Sequence, residues 1–319
     1  MLPSALQRRT AEHIPVLAGE VRRLLAVQPG ETVVDCTFGA GGHATLLARR
    51  LRGEGKVIAI DRDETVAPYF ERFRRGTGVK ARLLHGEFST VLAGLAGNGV
   101  RADVVLLDLG VSSMQLDRPV RGFSYAVDAP LDMRMDPSAE YSASELVNEA
   151  PERDLADIFR RYGEERNARR IARAIAKERA SHRFERTGEL VKTIKSAIPA
   201  PARFGEGHPA KRVFQALRIE VNDELGALER ALPAALELLR PEGRLGVISF
   251  HSLEDRIVKQ FLRDTERGCT CPPDFPVCVC GSAPTMRATP RRAIRPSAAE
   301  IARNPRAQSA RLRVGTKVG

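Results

Sequence analysis

A glycine-dense turn constrains this chain more than any other segment. The apolar run Val33-Val34 closes on Asp35 and opens into Cys36-Thr37-Phe38-Gly39-Ala40-Gly41-Gly42-His43, and a helical pattern from Ala44 to Leu51 follows. Strand, turn and helix start in that order build a nucleotide-sized cradle. Glycines let backbone approach a ligand closely, and a helix N-terminus offers unpaired N–H groups. Roughly twenty residues past the glycines a second apolar run, Val57-Ile58-Ala59-Ile60, ends in Asp61, where a carboxylate suits ribose hydroxyls. A ribose-bearing cofactor is the expectation.

The glycines alone do not choose the cofactor, since Gly39 to Ala44 also satisfies the dinucleotide pattern G-x-G-x-x-G/A. Asp35 discriminates. In a dinucleotide site, a carboxylate four residues before the first glycine would face a pyrophosphate. S-adenosylmethionine has no phosphate, and its ammonium group suits an acid at the end of the first strand. The plainer use of Asp35 is to cap the turn or the next helix.

Strand candidates at Thr32–Cys36, Lys56–Ile60, Ala81–His85 and Ala102–Leu107 alternate with helical patterns, which predicts a parallel sheet covered on both faces. The fourth run ends in Asp108-Leu109-Gly110-Val111-Ser112-Ser113, so Asp108 belongs beside Gly39 and Asp61 at the carboxyl edge, where such sheets bind ligands. Residues 118–141 lack a clear period and read as loop. Ser142 and Glu145 then fit a capping box, and the chain is mostly helical to about Leu239. Its breaks are Pro151, Gly163, the Pro199-Ala200-Pro201 turn and the Gly205–Pro209 loop. The strand signal returns at Arg244–Phe250, followed by a helix for which Ser252 and Asp255 form a second capping box. His251 falls on the same strand-end rim. The expected organisation is a discontinuous cofactor domain, 1–117 and 219–319, interrupted by a helical insert over 118–218.

The net charge of +11 points to a polyanionic partner, with nucleic acid the first candidate. It is localised: Arg267 to Gly319 carries +8 and Arg166 to Arg186 carries +6, a distribution that favours a phosphate-backbone footprint over scatter. No apolar run approaches a membrane span and residues 1–10 have no signal core, so the expectation is a cytoplasmic protein. Four of the five cysteines crowd into Cys269-Thr270-Cys271 and Cys278-Val279-Cys280, around a proline-rich spacer. Such a set suits one tetrahedral zinc, and equally redox pairs or reduced thiols on a loop.

Taken together, Asp35 to His43, Ile60-Asp61-Arg62-Asp63, Leu107 to Asp117 and Ser249 to Asp255 resemble one family, the bacterial small-subunit ribosomal RNA cytosine-N4 methyltransferases, which use S-adenosylmethionine. His13-Ile14-Pro15-Val16-Leu17, Arg121-Gly122-Phe123-Ser124 and Asn304 to Arg313 extend the resemblance over nearly the whole chain. It implies a Rossmann-like class I methyltransferase α/β sheet with a helical insert for substrate recognition. It further implies Gly41, Gly42 and His43 about the methionine end of the cofactor, beside the Asp35 and Gly39 already read as cofactor-binding, with Asp61 on the ribose and Phe88 against the adenine. Asp108 and Gln115 would complete the pocket. Met114 stands where many members have proline.

Other amino-group methyltransferases place an Asp or Asn followed by Pro-Pro and an aromatic residue at the fourth strand's end. Asp108-Leu109-Gly110-Val111 lacks that pattern, so Asp108 serves the cofactor, the reacting amine as a catalytic residue, or both. Phe123 and Tyr125 are candidates to stack on an unstacked target base, or else to pack the loop. The competing readings are a nicotinamide oxidoreductase, a DNA or protein methyltransferase, and a non-catalytic RNA-binding assembly factor. Three carboxylates on one strand-end edge favour an enzyme, because beside a simple RNA groove they would repel phosphate.

Overall fold

The computed structural model describes residues 15–111, 115, 119–199, 208–269, 271, 277 and 280–319. Outside them lie His13, Ile14, Ser112 to Met114, Leu116, Asp117, the Ala200-Pro201 turn, Gly205 to Gly207 and Cys278.

Short apolar runs form β1 (Thr32–Asp35), β2 (Lys56–Asp61), β3 (Lys80–His85) and β4 (Ala102–Asp108), as their sequence pattern predicts. Three helices make the crossovers between them: α2 (Gly42–Leu51), α3 (Ala67–Thr77) and α4 (Phe88–Gly97); α1 (Ala18–Leu25) precedes β1. Each is long enough to carry the chain back across the sheet, and all four strands are parallel. Next come α5 (Ala143–Glu149), α6 (Glu152–Gly163), α7 (Ala168–Arg179), α8 (Thr187–Ala197), α9 (Lys211–Asn222) and α10 (Glu224–Leu238). The sheet resumes with β5 (Leu239–Ser249), then α11 (Ser252–Arg267), β6 (Met286–Ala288), α12 (Ala298–Arg303) and β7 (Arg311–Lys317). The strand order is β3-β2-β1-β4-β5-β7-β6, with β7 antiparallel to both neighbours.

Alternation along the strands builds two cores. Val33, Val57, Ala59, Val104, Leu106 and Ile248 face α1, α2 and α3, while Val34, Ile58, Ile60, Val105, Leu107 and Val247 face α4, α10 and α11. A third cluster, from Phe123 to Leu217, belongs to the helices between β4 and β5. On α7, Ala168, Ile171, Ala172 and Ile175 are buried at helical spacing, which leaves Arg169, Arg170, Arg173 and Lys177 exposed on the other face.

The Ser142 capping box forms as expected, with Glu145 closing back on the Ser142 N–H. The second box is displaced by one residue. His251 caps α11, its Nδ1 accepting from the Glu254 N–H, while Ser252 is the first helical residue and bonds Glu164 instead. Three residues of the basic tail are engaged inside the fold. Arg311 and Arg313 lie on β7 and both donate to Asp255, at 2.8 and 2.7 Å. Lys317 is likewise engaged, by the carbonyls of Leu236 and Leu239. Alternating Arg311-Leu312-Arg313-Val314 is a strand whose charged face has an internal partner.

Burial raises the pKa of Asp255, but hydrogen bonds from Arg313 and Arg311 outweigh it and hold the carboxyl below the ordinary range. The stability this contributes is present above the unfolded value of about 3.9 and is lost as pH falls through the folded value. Asp255→Asn should therefore lower stability by roughly 3 kcal/mol at neutral pH, because Arg313 is left buried without its counter-charge. Denaturant melts should show that deficit shrinking below about pH 4.

Candidate active site

The site lies at the carboxyl ends of β2, β1 and β4, three adjacent strands ending in Asp61, Asp35 and Asp108. Between β1 and β4 the chain's crossovers change direction, which opens a crevice in an open parallel sheet. The glycine turn spans it. Gly39 and Gly41 have φ of 53° and 77°, and the Gly41 N–H bonds the Phe38 carbonyl at 2.8 Å. A Cβ on Gly41 would meet the Phe38 ring at 2.7 Å, and one on Gly42 would meet Pro15 at 2.9 Å. Each glycine thus answers to a close neighbour as well as to the turn.

Asp35 is fully buried. One oxygen accepts the Thr37 N–H at 3.2 Å, and Oδ2 is buried without a hydrogen-bond partner. Burial pushes its pKa up to about 6 against the opposing pull of His43. Asp108 carries a similar orphan: Oδ1 is buried and unpartnered, while Oδ2 lies 3.3 Å from His43 Nδ1. The Asp108 N–H donates to Thr37 Oγ1 at 2.7 Å, locking β4 to the turn.

His43 joins the turn to the segment before α1. Its Nε2 is 2.9 Å from the Val16 carbonyl, so this nitrogen carries a proton, and Nδ1 faces a carboxylate. Burial lowers the imidazole pKa, but Asp108, Asp35 and the Val16 carbonyl together raise it above its ordinary value. Both ring nitrogens face acceptors, and the imidazolium is the form that satisfies both.

Asp61 accepts the Gly39 N–H at 2.7 Å on Oδ2 and the Asp63 N–H at 2.9 Å on Oδ1, so it braces the glycine turn. Burial leads its pKa upward. Phe88 opens α4 directly after β3 and is half-buried against the core beneath the crevice. Gln115 is buried and donates to Asp63 Oδ2 at 3.2 Å.

That last contact belongs to a cluster that sequence reasoning missed. Asp63 Oδ2 also takes a hydrogen bond from Arg121 Nη1 at 2.9 Å, and Arg121 Nη2 reaches the carbonyls of Arg134 and Met135. Arg62 donates to the Asn222 carbonyl at 3.0 Å. The quoted motifs Ile60 to Asp63 and Arg121 to Ser124 held these residues, but nothing in either segment names the other as its partner. Phe123 is buried among the insert's apolar residues and Tyr125 stacks on His208 with ring centroids 4.5 Å apart. Packing therefore claims both aromatic candidates.

His251 falls into a second buried network. Its Nε2 lies 3.0 Å from Glu254 Oε1, and Glu224 is held by both arms of Arg218 at 2.8 and 2.9 Å. Although Glu224, His251 and Glu254 bring three donors within 4.8 Å, Arg218 already engages Glu224, and the group reads as an ion-pair network.

Two orphaned carboxylate oxygens flanking a glycine turn fit a ligand that brings donors or positive charge, such as an ammonium, and disfavour a pyrophosphate. This sheet order and this crevice define a class I, S-adenosylmethionine-dependent methyltransferase. The chain belongs to the MraW methylase family, whose sequence model matches residues 10–318. It is 53% identical over 308 residues to the ribosomal RNA small subunit methyltransferase H of Heliobacterium modesticaldum, covering 96% of this chain and 98% of that one. The protein of the same name from Geobacter sulfurreducens is 50% identical over 317 residues, covering 97% and 100%. Among solved structures, an rRNA methylase from Streptococcus thermophilus aligns with a TM-score of 0.41 at 12% identity, over 97% of this chain and all of that one. No described helix is long and apolar enough to cross a membrane.

Because the folded pKa of Asp35 exceeds its unfolded value, its favourable contribution is present at low pH and lost as pH rises through about 6. Asp35→Asn should therefore melt higher than the parent at pH 8, by about 2–6 °C, with the gap closing toward pH 4. Differential scanning calorimetry without ligand checks this.

Proposed function

We propose that this chain transfers a methyl group from S-adenosylmethionine to the exocyclic N4 of a cytidine in small-subunit ribosomal RNA. The structural observation carrying this reading is the pair of unpartnered buried carboxylate oxygens on β1 and β4. Full-length similarity to proteins named for small-subunit RNA methylation supports the substrate class. In this reading the partner is small-subunit ribosomal RNA or the assembled small subunit, and the location is the cytoplasm.

In this reading Asp35 holds the cofactor ammonium, with Gly39, Gly41, Gly42 and His43 about the methionine end. Asp61, each of whose oxygens accepts one N–H and retains a second lone pair, takes the ribose hydroxyls. Phe88 lies against the adenine, and Gln115 closes the wall through Asp63. Bound there, S-adenosylmethionine supplies an already activated methyl group, so the protein's work is positioning and electrostatics.

The cytosine amine is a poor nucleophile because its lone pair is delocalised into the ring. An acceptor must take its N–H bonds and turn that lone pair toward the methyl group. Exposure separates the two acids available. Asp35 is 1% exposed, whereas the Asp108 side chain is 26% exposed and within reach of an entering base. Asp108 is therefore the residue that accepts from the amine; His43 faces its carboxylate, and Thr37 Oγ1 holds its backbone N–H. The helical layer between β4 and β5 serves recognition, with Arg169, Arg170, Arg173 and Lys177 on phosphates.

The test is transfer of labelled methyl to small subunits from a strain lacking this protein, read by nucleoside analysis. Label in N4-methylcytidine is expected; label absent, or only in DNA or protein, overturns the reading. Asp108→Ala should lower turnover by about 10²-fold or more; cofactor affinity that survives assigns Asp108 to the amine, and affinity lost with it assigns Asp108 to the cofactor pocket. Asp35→Asn should instead lose cofactor affinity, measured by calorimetry. A triple Arg169→Glu, Arg170→Glu, Arg173→Glu variant should raise KM for RNA and lower the salt slope by about one for each phosphate no longer neutralised, with cofactor affinity unchanged.

A further inference from the structure

The cysteine loop is not used by the chemistry above. It leaves the C-terminus of α11 at Gly268 and returns ahead of β6. Its base is closed by backbone: the Thr285 N–H donates to the Thr265 carbonyl at 2.9 Å, and a Cβ on Gly268 would lie 2.5 Å from Ala283 and Pro284 backbone atoms. Just past this crossing, the sulfurs of Cys269, Cys271 and Cys280 lie within 4.8 Å of one another. The Cys269 and Cys280 sulfurs are 3.8 Å apart.

That separation is informative. A disulfide would bring the two sulfurs to about 2.05 Å. Thiolates bound to one zinc at about 2.3 Å define a tetrahedron whose edges are about 3.8 Å. The Cys269–Cys280 separation matches that edge, which is also the reach of a thiol hydrogen bond, and the Cys271 sulfur lies within 4.8 Å of both. In zinc sites of this kind the ligand sulfurs are deprotonated, and the ion's charge offsets their mutual repulsion.

We propose that Cys269, Cys271 and Cys280 form a structural zinc site that clamps the loop between α11 and β6. Its three ligands are remote in sequence from the strand-end acids. Zinc gains its affinity here from a loop base that backbone contacts have already brought together. The sequence offers a fourth thiol, Cys278, two positions before Cys280.

The experiment uses untagged, full-length protein purified under reducing conditions without added metal. Elemental analysis should find about one zinc per chain, and it should survive gel filtration. Replacing the zinc by cobalt should give the ligand-field bands of a tetrahedral site and a thiolate charge-transfer band with the intensity of at least three thiolates. Cys269→Ser and Cys280→Ser should each lose the metal while Asp35-dependent cofactor binding persists, so failure here is distinguishable from failure of the methyltransferase reading. Wild-type protein with reduced thiols that holds no stoichiometric zinc, even after incubation with zinc alone, overturns the proposal. So does a cobalt band with the intensity of one or two thiolates, or a Cys269–Cys280 disulfide found by mass spectrometry in protein isolated with reductant.

Discussion

Three carboxylates end three neighbouring parallel strands, and the arrangement costs free energy wherever it is not compensated. Asp61 recovers much of that cost by bracing the turn through Gly39 and Asp63. Asp35 does not: one oxygen has no partner, burial lifts its pKa to about 6, and the second orphan sits on Asp108 nearby in the sheet. Buried polar atoms are almost always satisfied, so two unsatisfied carboxylate oxygens at a strand-end crevice fit a place that a ligand completes. The other orphans among the described residues, Arg62 Nε and His251 Nε2, lie on side chains already engaged by the Asn222 carbonyl and Glu254. The two apolar cores against the sheet supply the stability that offsets the cost of burying these acids. Binding strength is in this sense held in reserve as strain within the fold.

His43 converts this local charge problem into a connection. With one nitrogen on Asp108 and the other on the Val16 carbonyl, it holds the fourth strand's acid and the segment before α1 in a single geometry. On the far side, Asp63 and Arg121 do the same for the helical layer, since Arg121 also binds the carbonyls of Arg134 and Met135. The strand-end edge and the segment leading into the helices between β4 and β5 are therefore joined by charged hydrogen bonds.

The parts legible in sequence were those with local signals. Apolar runs placed β1 through β4, the glycines placed the turn, and Ser142 with Glu145 placed a helix start. β6 and β7 were hidden because their arginines read as surface charge, although Asp255 answers Arg311 and Arg313 from inside the fold. The His251 cap was missed because histidine is an uncommon capping residue, and Ser252 beside it is a common one. Asp35, Asp61 and Asp108 could be assigned to one edge because parallel strands align their carboxyl ends. The Asp63–Arg121 pair could not, since 58 residues separate the partners and only tertiary packing joins them.

The segment preceding α1 has one more role, which concerns order of assembly. Pro15 packs against Gly42, the Val16 carbonyl binds His43, and the Leu17 N–H is held by Glu300 Oε1, 283 residues away. β7, made last, inserts between β5 and β6 rather than adding at the sheet's edge. A nascent chain emerging from the ribosome thus carries its glycine turn and the Pro15 and Val16 contacts early, but the Leu17 bond that completes the strap waits until residue 300 has been made. The strap is therefore completed late in synthesis, after all three strand-end acids have been made.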